Sequence, residues 1–406
     1  MNKEKIHIGL VTTWFPPENG TAVNRMSAFA RYLSSDNFIV SVFTVETTKP
    51  NKDETIVNGK VYRLSNKKLI KTYKTISSDS RMKHLMKVAW NISIRKVISD
   101  EYSSWKKNTI LKLQEVHNHH PIDILISSYS PSATHEAASI FCLENPEVKW
   151  IVDMRDEMSQ NTSVTKKDKI KFEKIEASIN KRAIALTSVS KPILEYFSEI
   201  MPDMKNFEEI RNGYDHNIEP VVGFNSEFTI AYAGKFYGTR KPDCFFQALV
   251  DLKQEGFLNF DWKIKFIGSN HNFNIPFEFK NHVQFINELT STEVIHELIK
   301  VDALLFFSPP TGRKGIFTGK IFEYISVEKP IIAIVDVNDV AADLIIEHNA
   351  GFVADYYDLE SIKASIKNAV TLWKKKEVLN FDKKKIQMLQ RKHQVDRLKE
   401  LILKIV

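Results

Sequence analysis

One stretch constrains the rest of the chain more than any other: Val301 to Val335, VDALLFFSPPTGRKGIFTGKIFEYISVEKPIIAIV. Two apolar segments, Ala303 to Phe307 and Pro330 to Val335, flank a Pro/Gly loop and a short helical segment opening near Gly319-Lys320. Continuous apolar runs of this kind are strands covered on both faces, and two of them joined by one helix make a parallel βαβ unit. Ligands in such sheets sit at the carboxyl ends of the strands, so the loop is a candidate binding edge. Thr318 and Gly319 bring backbone N–H groups to a helix N-terminus, which favours an anion, and Lys320 adds a full positive charge. Glu323, about one turn further on, is suited to accept both hydroxyls of a ribose. The set fits a nucleoside diphosphate. The plainer alternative is an exposed, solvated face of a short amphipathic helix, and other segments decide between them.

The amino-terminal segment HIGLVTTWFPPENGTAVNRMSAFARYL repeats the strand, loop, helix pattern. Ile6 to Thr13 is a predicted strand, and Asn24 to Leu33 a predicted helix with Met26, Phe29, Ala30 and Leu33 inward. Gly20 allows close approach of a ligand, yet no G-x-G-x-x-G dinucleotide fingerprint is present. The pattern restarts at FTIAYAGKFYGTRKPDCFFQAL, so 406 residues divide into two Rossmann-like domains. Further strands are expected at 39–44, 61–64, 122–127, 150–153, 185–188, 262–268 and 283–286. Helices are expected at 166–182, 191–200, 339–348, 358–375 and 383–405, with Thr290 capping STEVIHELI.

With 43% apolar and 26% charged residues the composition is globular. The two cysteines, Cys142 and Cys244, exclude a disulfide framework or a cysteine-rich zinc site and fit a reducing compartment. No run approaches 18 apolar residues and the first residues lead straight into a strand, which implies a soluble, cytoplasmic protein. The net charge of +7 is uneven, crowding between Lys60 and Lys112. There a long helical region, Arg81 to His119, interleaves cations with Trp90, Tyr102 and Trp105. That composition suits either an anionic membrane surface, making the protein peripheral on the inner face, or an ordinary solvated helix face. No nucleic-acid-binding module accompanies it. No Ser/His/Asp triad, zinc spacing or Asp-x-Asp motif stands out, so the chemistry requires no metal and no cofactor beyond its substrate.

Two further clusters belong to the first half. The segment DMRDEM after a strand places Asp153, Arg155 and Asp156 together, where an ion pair could hold a guanidinium ready for a substrate or simply stabilise the loop. In SYSPSATHEAASIF, Tyr129 and Ser130 occupy a strand-end loop, and His135 lies one turn into the following helix. Asp156 and His135 are the candidates for a catalytic group, although a lone helical histidine is more often structural.

TGKIFEYISVEKPIIAI resembles the donor-binding segment of retaining glycosyltransferases of family 4, which are GT-B enzymes: α/β, two Rossmann-like domains with parallel sheets facing across a cleft. In that family a Glu-x7-Glu motif stands here, and Glu323 matches its second Glu, the donor-ribose ligand. The first falls on Gly315, a departure that this chain shares with a subgroup carrying TGK before the helix. The resemblance extends to FPPENG, which implies that Glu18, Asn19, Gly20 and Thr21 line the cleft, with Gly20 and Thr21 toward the donor. It also covers DMRD, which implies an acceptor-side role for Asp153 and Arg155, with Tyr129 and Ser130 nearest the family's loop histidine. NGYD near EIRNGYDHNIEP, with Asn212, Gly213 and Asp215, resembles the crossing into the second domain. In the family a Gly-Arg pair followed by a Lys grips the pyrophosphate. Counting from Gly234, this chain has Lys235 and Arg240, with Lys241 in reserve.

The resemblance therefore implies an acceptor domain over 1–212, a nucleotide-sugar domain over 213–382 and a helix over 383–406 returning to the first domain. It implies a retaining hexosyl transfer from a UDP- or GDP-sugar to a glycan or polyprenyl-linked acceptor in surface polysaccharide biosynthesis. The alternatives are a GT-B nucleotide-sugar epimerase and a non-catalytic sugar-nucleotide-binding subunit.

Overall fold

A computed structural model describes residues 5–35, 37–47, 58–66, 101–161, 164–236, 240–269 and 273–406. The chain forms two compact units, one comprising Met1–Ser188, Tyr196–Glu208 and Lys399–Val406, the other Val189–Glu195 and Glu209–Leu398.

The first unit is built on a seven-stranded sheet of order β3-β2-β1-β4-β5-β6-β7. Its strands are β1 (Ile6–Val11), β2 (Phe38–Val45), β3 (Gly59–Leu64), β4 (Ile124–Ser128), β5 (Lys149–Met154), β6 (Ala185–Ser188) and β7 (Asn206–Glu209). β1 pairs in parallel with both β2 and β4, so the strand order reverses between β1 and β4. Its described helices are α1 (Thr21–Leu33), α2 (Ser103–His119), α3 (Ala133–Glu144) and α4 (Lys166–Arg182), and α5 (Lys191–Ile200) is divided between the two units after Glu195. In α1 the inward face carries Met26, Phe29, Ala30 and Leu33, as the spacing predicts, and also Arg25.

The second unit has six strands in the order β10-β9-β8-β11-β12-β13. They are β8 (Phe228–Ala233), β9 (Trp262–Ile267), β10 (Val283–Ile286), β11 (Ala303–Ser308), β12 (Ile331–Val335) and β13 (Gly351–Asp355). Here the reversal lies between β8 and β11, which pair in parallel. Alternation along β11 divides the core: Leu304 and Phe306 join one apolar cluster, while Ala303, Leu305 and Phe307 join the other. The first cluster takes in α8 (Gly319–Ser326) and α9 (Val340–Glu347), the second α6 (Asp243–Gln254) and α10 (Leu359–Lys375). A parallel sheet covered on both faces is the outcome that the apolar runs at 303–307 and 330–335 require. The helix α7 (Ser291–Leu298) opens on a full capping box, Thr290 with Glu293.

The structure departs from the sequence reading in four places. The carboxyl-terminal helix expected over 383–405 is broken into α11 (Lys383–Met388) and α12 (Arg391–Ile405). The break exists because Tyr214 bridges the chain there: its N–H donates to the Leu389 carbonyl and its carbonyl accepts the Arg391 N–H. β7 and β13 were not expected, since NFEE and GFVAD lack a long apolar run. The basic helical region from Arg81 lies outside the described residues up to position 100, Trp90 included. Within its described part Trp105 is fully buried, Lys106 is bound to Glu136 at 2.6 Å and Lys112 to Glu115 at 2.5 Å. Trp105 is thus a core residue and no membrane-facing anchor. No described helix is long and apolar enough to cross a membrane.

The Trp105 indole N–H is buried without a hydrogen-bond partner, so the residue contributes volume and no polar contact. Trp105→Phe is expected to cost under about 1.5 kcal/mol and Trp105→Ala about 3–5 kcal/mol. Urea denaturation followed for the first unit checks both.

Candidate functional site

Loops at the carboxyl ends of the two strands that flank a reversal of strand order form the natural ligand crevice of an open parallel sheet. In the second unit these are the loop opening at Gly234, after β8, and the loop from Pro309 to Thr318, after β11. Gly234 has φ +114, and a Cβ there would lie 2.5 Å from Lys320 Nζ and 2.7 Å from its Cε. The glycine is what lets the lysine cross the end of β8. Lys320 Nζ donates to the Tyr232 hydroxyl at 3.0 Å and stands 4.4 Å from the centre of the Tyr232 ring. That ring is stacked at 4.3 Å on Phe236, so the platform under the cation is rigid.

Burial, then the charge of Arg240, push the Lys320 ammonium down to about 7, against the opposing pull of Glu323. Burial raises Glu323 above the usual carboxylate range, partly offset by Arg391 and Lys320. Glu323 lies on the same short helix as Lys320. At its start the Thr318 hydroxyl is buried and makes no hydrogen bond, so the cap position of α8 is unfilled by its own side chain. The Ile321 N–H already donates to the Thr318 carbonyl at 3.3 Å, so the candidate anion-facing groups at this helix start are the N–H groups of Gly319 and Lys320, the Thr318 hydroxyl and the Lys320 ammonium.

The remaining expected donor residues are placed differently. Lys235 is exposed and engages Glu288. Lys241 is exposed, and the residues between Phe236 and Arg240 lie outside the described ones. Gly315, which occupies the position of the family's first Glu, has φ +83 and donates its N–H to Asp339 Oδ1 at 2.7 Å. A Glu at that position would be held in a strained backbone. Asn212 is buried with its side-chain oxygen unpartnered, and the next residue, Gly213, packs against the Leu389 carbonyl.

The other expected residues belong to the first unit. Gly20 and Thr21 open α1 after β1, and Tyr129 and Ser130 follow β4, so these loops bracket that sheet's own reversal. Glu18 is partly buried and Asn19 exposed in the same loop. Asp153 is fully buried, but its ionic partner is Arg25 at 2.6 Å and not Arg155. It also accepts from Ser128 and Thr187, each at 2.8 Å. Burial alone would raise the Asp153 carboxyl; Arg25 and these hydroxyls outweigh it and hold it below the usual range. Arg155 donates through Nε to the Tyr129 carbonyl at 2.7 Å, and burial lowers its pKa against the charges of Asp153 and Asp156. His135 is a core residue: Nδ1 bonds Ser127 Oγ at 2.7 Å, Nε2 faces Met154 Sδ at 3.1 Å, and burial pushes it down to about 3. It stays neutral, and its ring supports the loop through Tyr129, stacked at 6.2 Å.

Tyr232, Arg25, Arg391 and Tyr324 were missed from sequence. Tyr324 accepts the Ala233 N–H at 2.7 Å and so fixes the end of β8. Arg25 alone left a signal, as a charge on the apolar face of α1 four residues before Phe29, whose ring it covers at 4.8 Å.

Among solved structures, the chain is similar to sucrose-phosphate synthase from Thermosynechococcus elongatus, with 12% identity, 99% of each chain covered and a TM-score of 0.63. The Candida albicans trehalose-6-phosphate phosphatase N-terminal domain gives 10% identity, 99% of this chain and 97% of that one, and a TM-score of 0.64. TarM gives 12% identity, 99% and 96% coverage, and 0.57. The fold is GT-B. At these identities the likeness concerns the GT-B architecture alone. No protein-family model and no curated protein sequence matches the chain.

Asp153→Asn leaves Arg25 as a buried cation without its counter-ion, and is expected to cost about 3–5 kcal/mol. Because the native carboxyl titrates below its unfolded value, its stabilisation is present above the unfolded pKa and is lost as pH falls through the native one. The variant should therefore show a flatter acid limb in a stability-versus-pH series.

Proposed function

We propose that the chain is a glycosyltransferase that moves a sugar from a nucleoside diphosphate, a UDP- or GDP-sugar, to a glycan or lipid-linked acceptor. The observation that carries this reading is the constellation of Gly234, Lys320 and Glu323 at the switch point of the second sheet. In this reading the diphosphate lies on the first-turn N–H groups of α8 and the Thr318 hydroxyl. Lys320 and Arg240 carry the counter-charge, and Glu323 takes the ribose hydroxyls. The GT-B fold supports the same assignment.

Charge develops on the diphosphate as the bond from the anomeric carbon to the phosphate oxygen breaks, and cations fixed beforehand stabilise it there. The acceptor hydroxyl forms the new bond on the same face, which retains configuration, and its proton passes to the departing diphosphate. No protein base is needed, in keeping with a buried neutral His135. The loops after β1 and β4, with Glu18, Asn19, Tyr129, Ser130 and Arg155, are assigned to the acceptor. Surface polysaccharide assembly on a polyprenyl carrier at the inner face of the membrane is the setting this reading favours.

Calorimetric titration with UDP, GDP, ADP and dTDP should give micromolar binding of one diphosphate, weakened at least about tenfold by Glu323→Ala and by Arg240→Ala. Lys320 is largely neutral above pH 7, and an adjacent diphosphate favours its charged form. Titration at pH 8 in buffers of different ionisation enthalpy should therefore show net proton uptake, and affinity should fall as pH rises above 7. Unchanged affinity in both variants would remove the site. Product analysis with the matching nucleotide sugar then separates transfer from epimerisation.

A further inference from the structure

The second unit carries another cavity at the opposite edge of its sheet, about 260 Å³ in volume. It lies where β11 and β12 begin, at Asp302 and Pro330, roughly 20 Å of strand away from the loops after their carboxyl ends. Its walls come from the segment before β8 (Val221, Val222, Phe224), the end of α10 (Leu372, Trp373) and the chain leading to α11 (Leu379, Phe381). Most of that lining is apolar. The Trp373 indole N–H is already spent on the Asn225 carbonyl at 2.9 Å.

Lys329 is the buried cation of the lining. Lys329 is 6% exposed and makes no hydrogen bond or ion pair among the described residues. The carboxylate that acts on it, Asp302, accepts three hydrogen bonds elsewhere: from the Asn225 N–H at 2.9 Å, Asn225 Nδ2 at 3.0 Å and the Thr229 N–H at 2.8 Å. Its ammonium is not among the fully buried atoms left without a partner, so it is accessible where the residue lines the cavity, with donors to spare. Burial lowers its pKa, against the charge of Asp302.

We propose that this cavity is a second ligand site, taking a small amphiphile with one carboxylate on Lys329 and a short apolar tail between Trp373, Phe381 and Val222. A single negative charge is preferred to a dianion such as phosphate because Asp302, Glu328 and Glu377 line the same space, and the second lining cation, Lys383, already faces Glu328. The site is independent of the nucleotide reading, and its failure would leave that reading untouched.

Sodium octanoate serves as the probe, with 1-octanol and octylamine as matched controls, each titrated calorimetrically into the full chain. Octanoate is expected to bind one to one and at least about tenfold more tightly than octanol, the worth of one charge-assisted hydrogen bond. Lys329→Met should bring octanoate down to the affinity of octanol while keeping the fold, since it replaces the side chain by an apolar one of similar length and breaks no hydrogen bond or ion pair among the described residues. Val222→Trp, at a position 79% exposed, narrows the mouth without touching the core and should weaken both ligands. Absence of saturable octanoate binding, equal binding of the three probes, or octanoate binding unchanged by Lys329→Met would each overturn the proposal.

Discussion

The packing of Lys320 against Gly234 and the Tyr232 ring is the interaction on which the candidate site depends. An ammonium placed there gives up hydration and gains one hydroxyl and an aromatic face, which leaves it near neutral at physiological pH. Such a group would gain from an adjacent anion, which is why the proposed site is centred on it. The arrangement exists because β8 ends in a residue without a side chain and because Tyr324 holds that end in place through the Ala233 N–H.

The two units use the same topology and different electrostatics. In the second, the switch point is surrounded by cations and a helix start without a side-chain cap. In the first, Asp153 and Arg25 neutralise one another beneath the corresponding loops, and hydroxyls from Ser128 and Thr187 complete the shell. That closed network braces the ends of β4, β5 and β6. Arg155 is half-buried and oriented by the Tyr129 carbonyl.

Much of the fold was legible because buried parallel strands write themselves as apolar runs. The segments at 166–182, 185–188 and 191–200 lie where the residue pattern put them. The positions of Lys320 and Glu323 on a short helix were legible because they follow a strand–loop–helix junction, where few other placements are possible. What the sequence hid were long-range pairings. Asp153 looked like a partner for Arg155, two residues on, whereas its counter-ion comes from Arg25, 128 residues earlier. The break at Leu389 depends on Tyr214, and no local signal in MLQRKHQ announces it. Trp105 sat in a basic stretch that mimics a membrane helix, and only packing reveals it as core.

The most direct measurement is a crystal structure of the protein with its best-bound nucleoside diphosphate. The account predicts the diphosphate on the N–H groups of Gly319 and Lys320, with Lys320 Nζ drawn from the Tyr232 hydroxyl to a phosphate oxygen and the ribose hydroxyls on Glu323. A nucleotide bound elsewhere, or one bound here with Lys320 still held on Tyr232 and Glu323 free of the ribose, would contradict it.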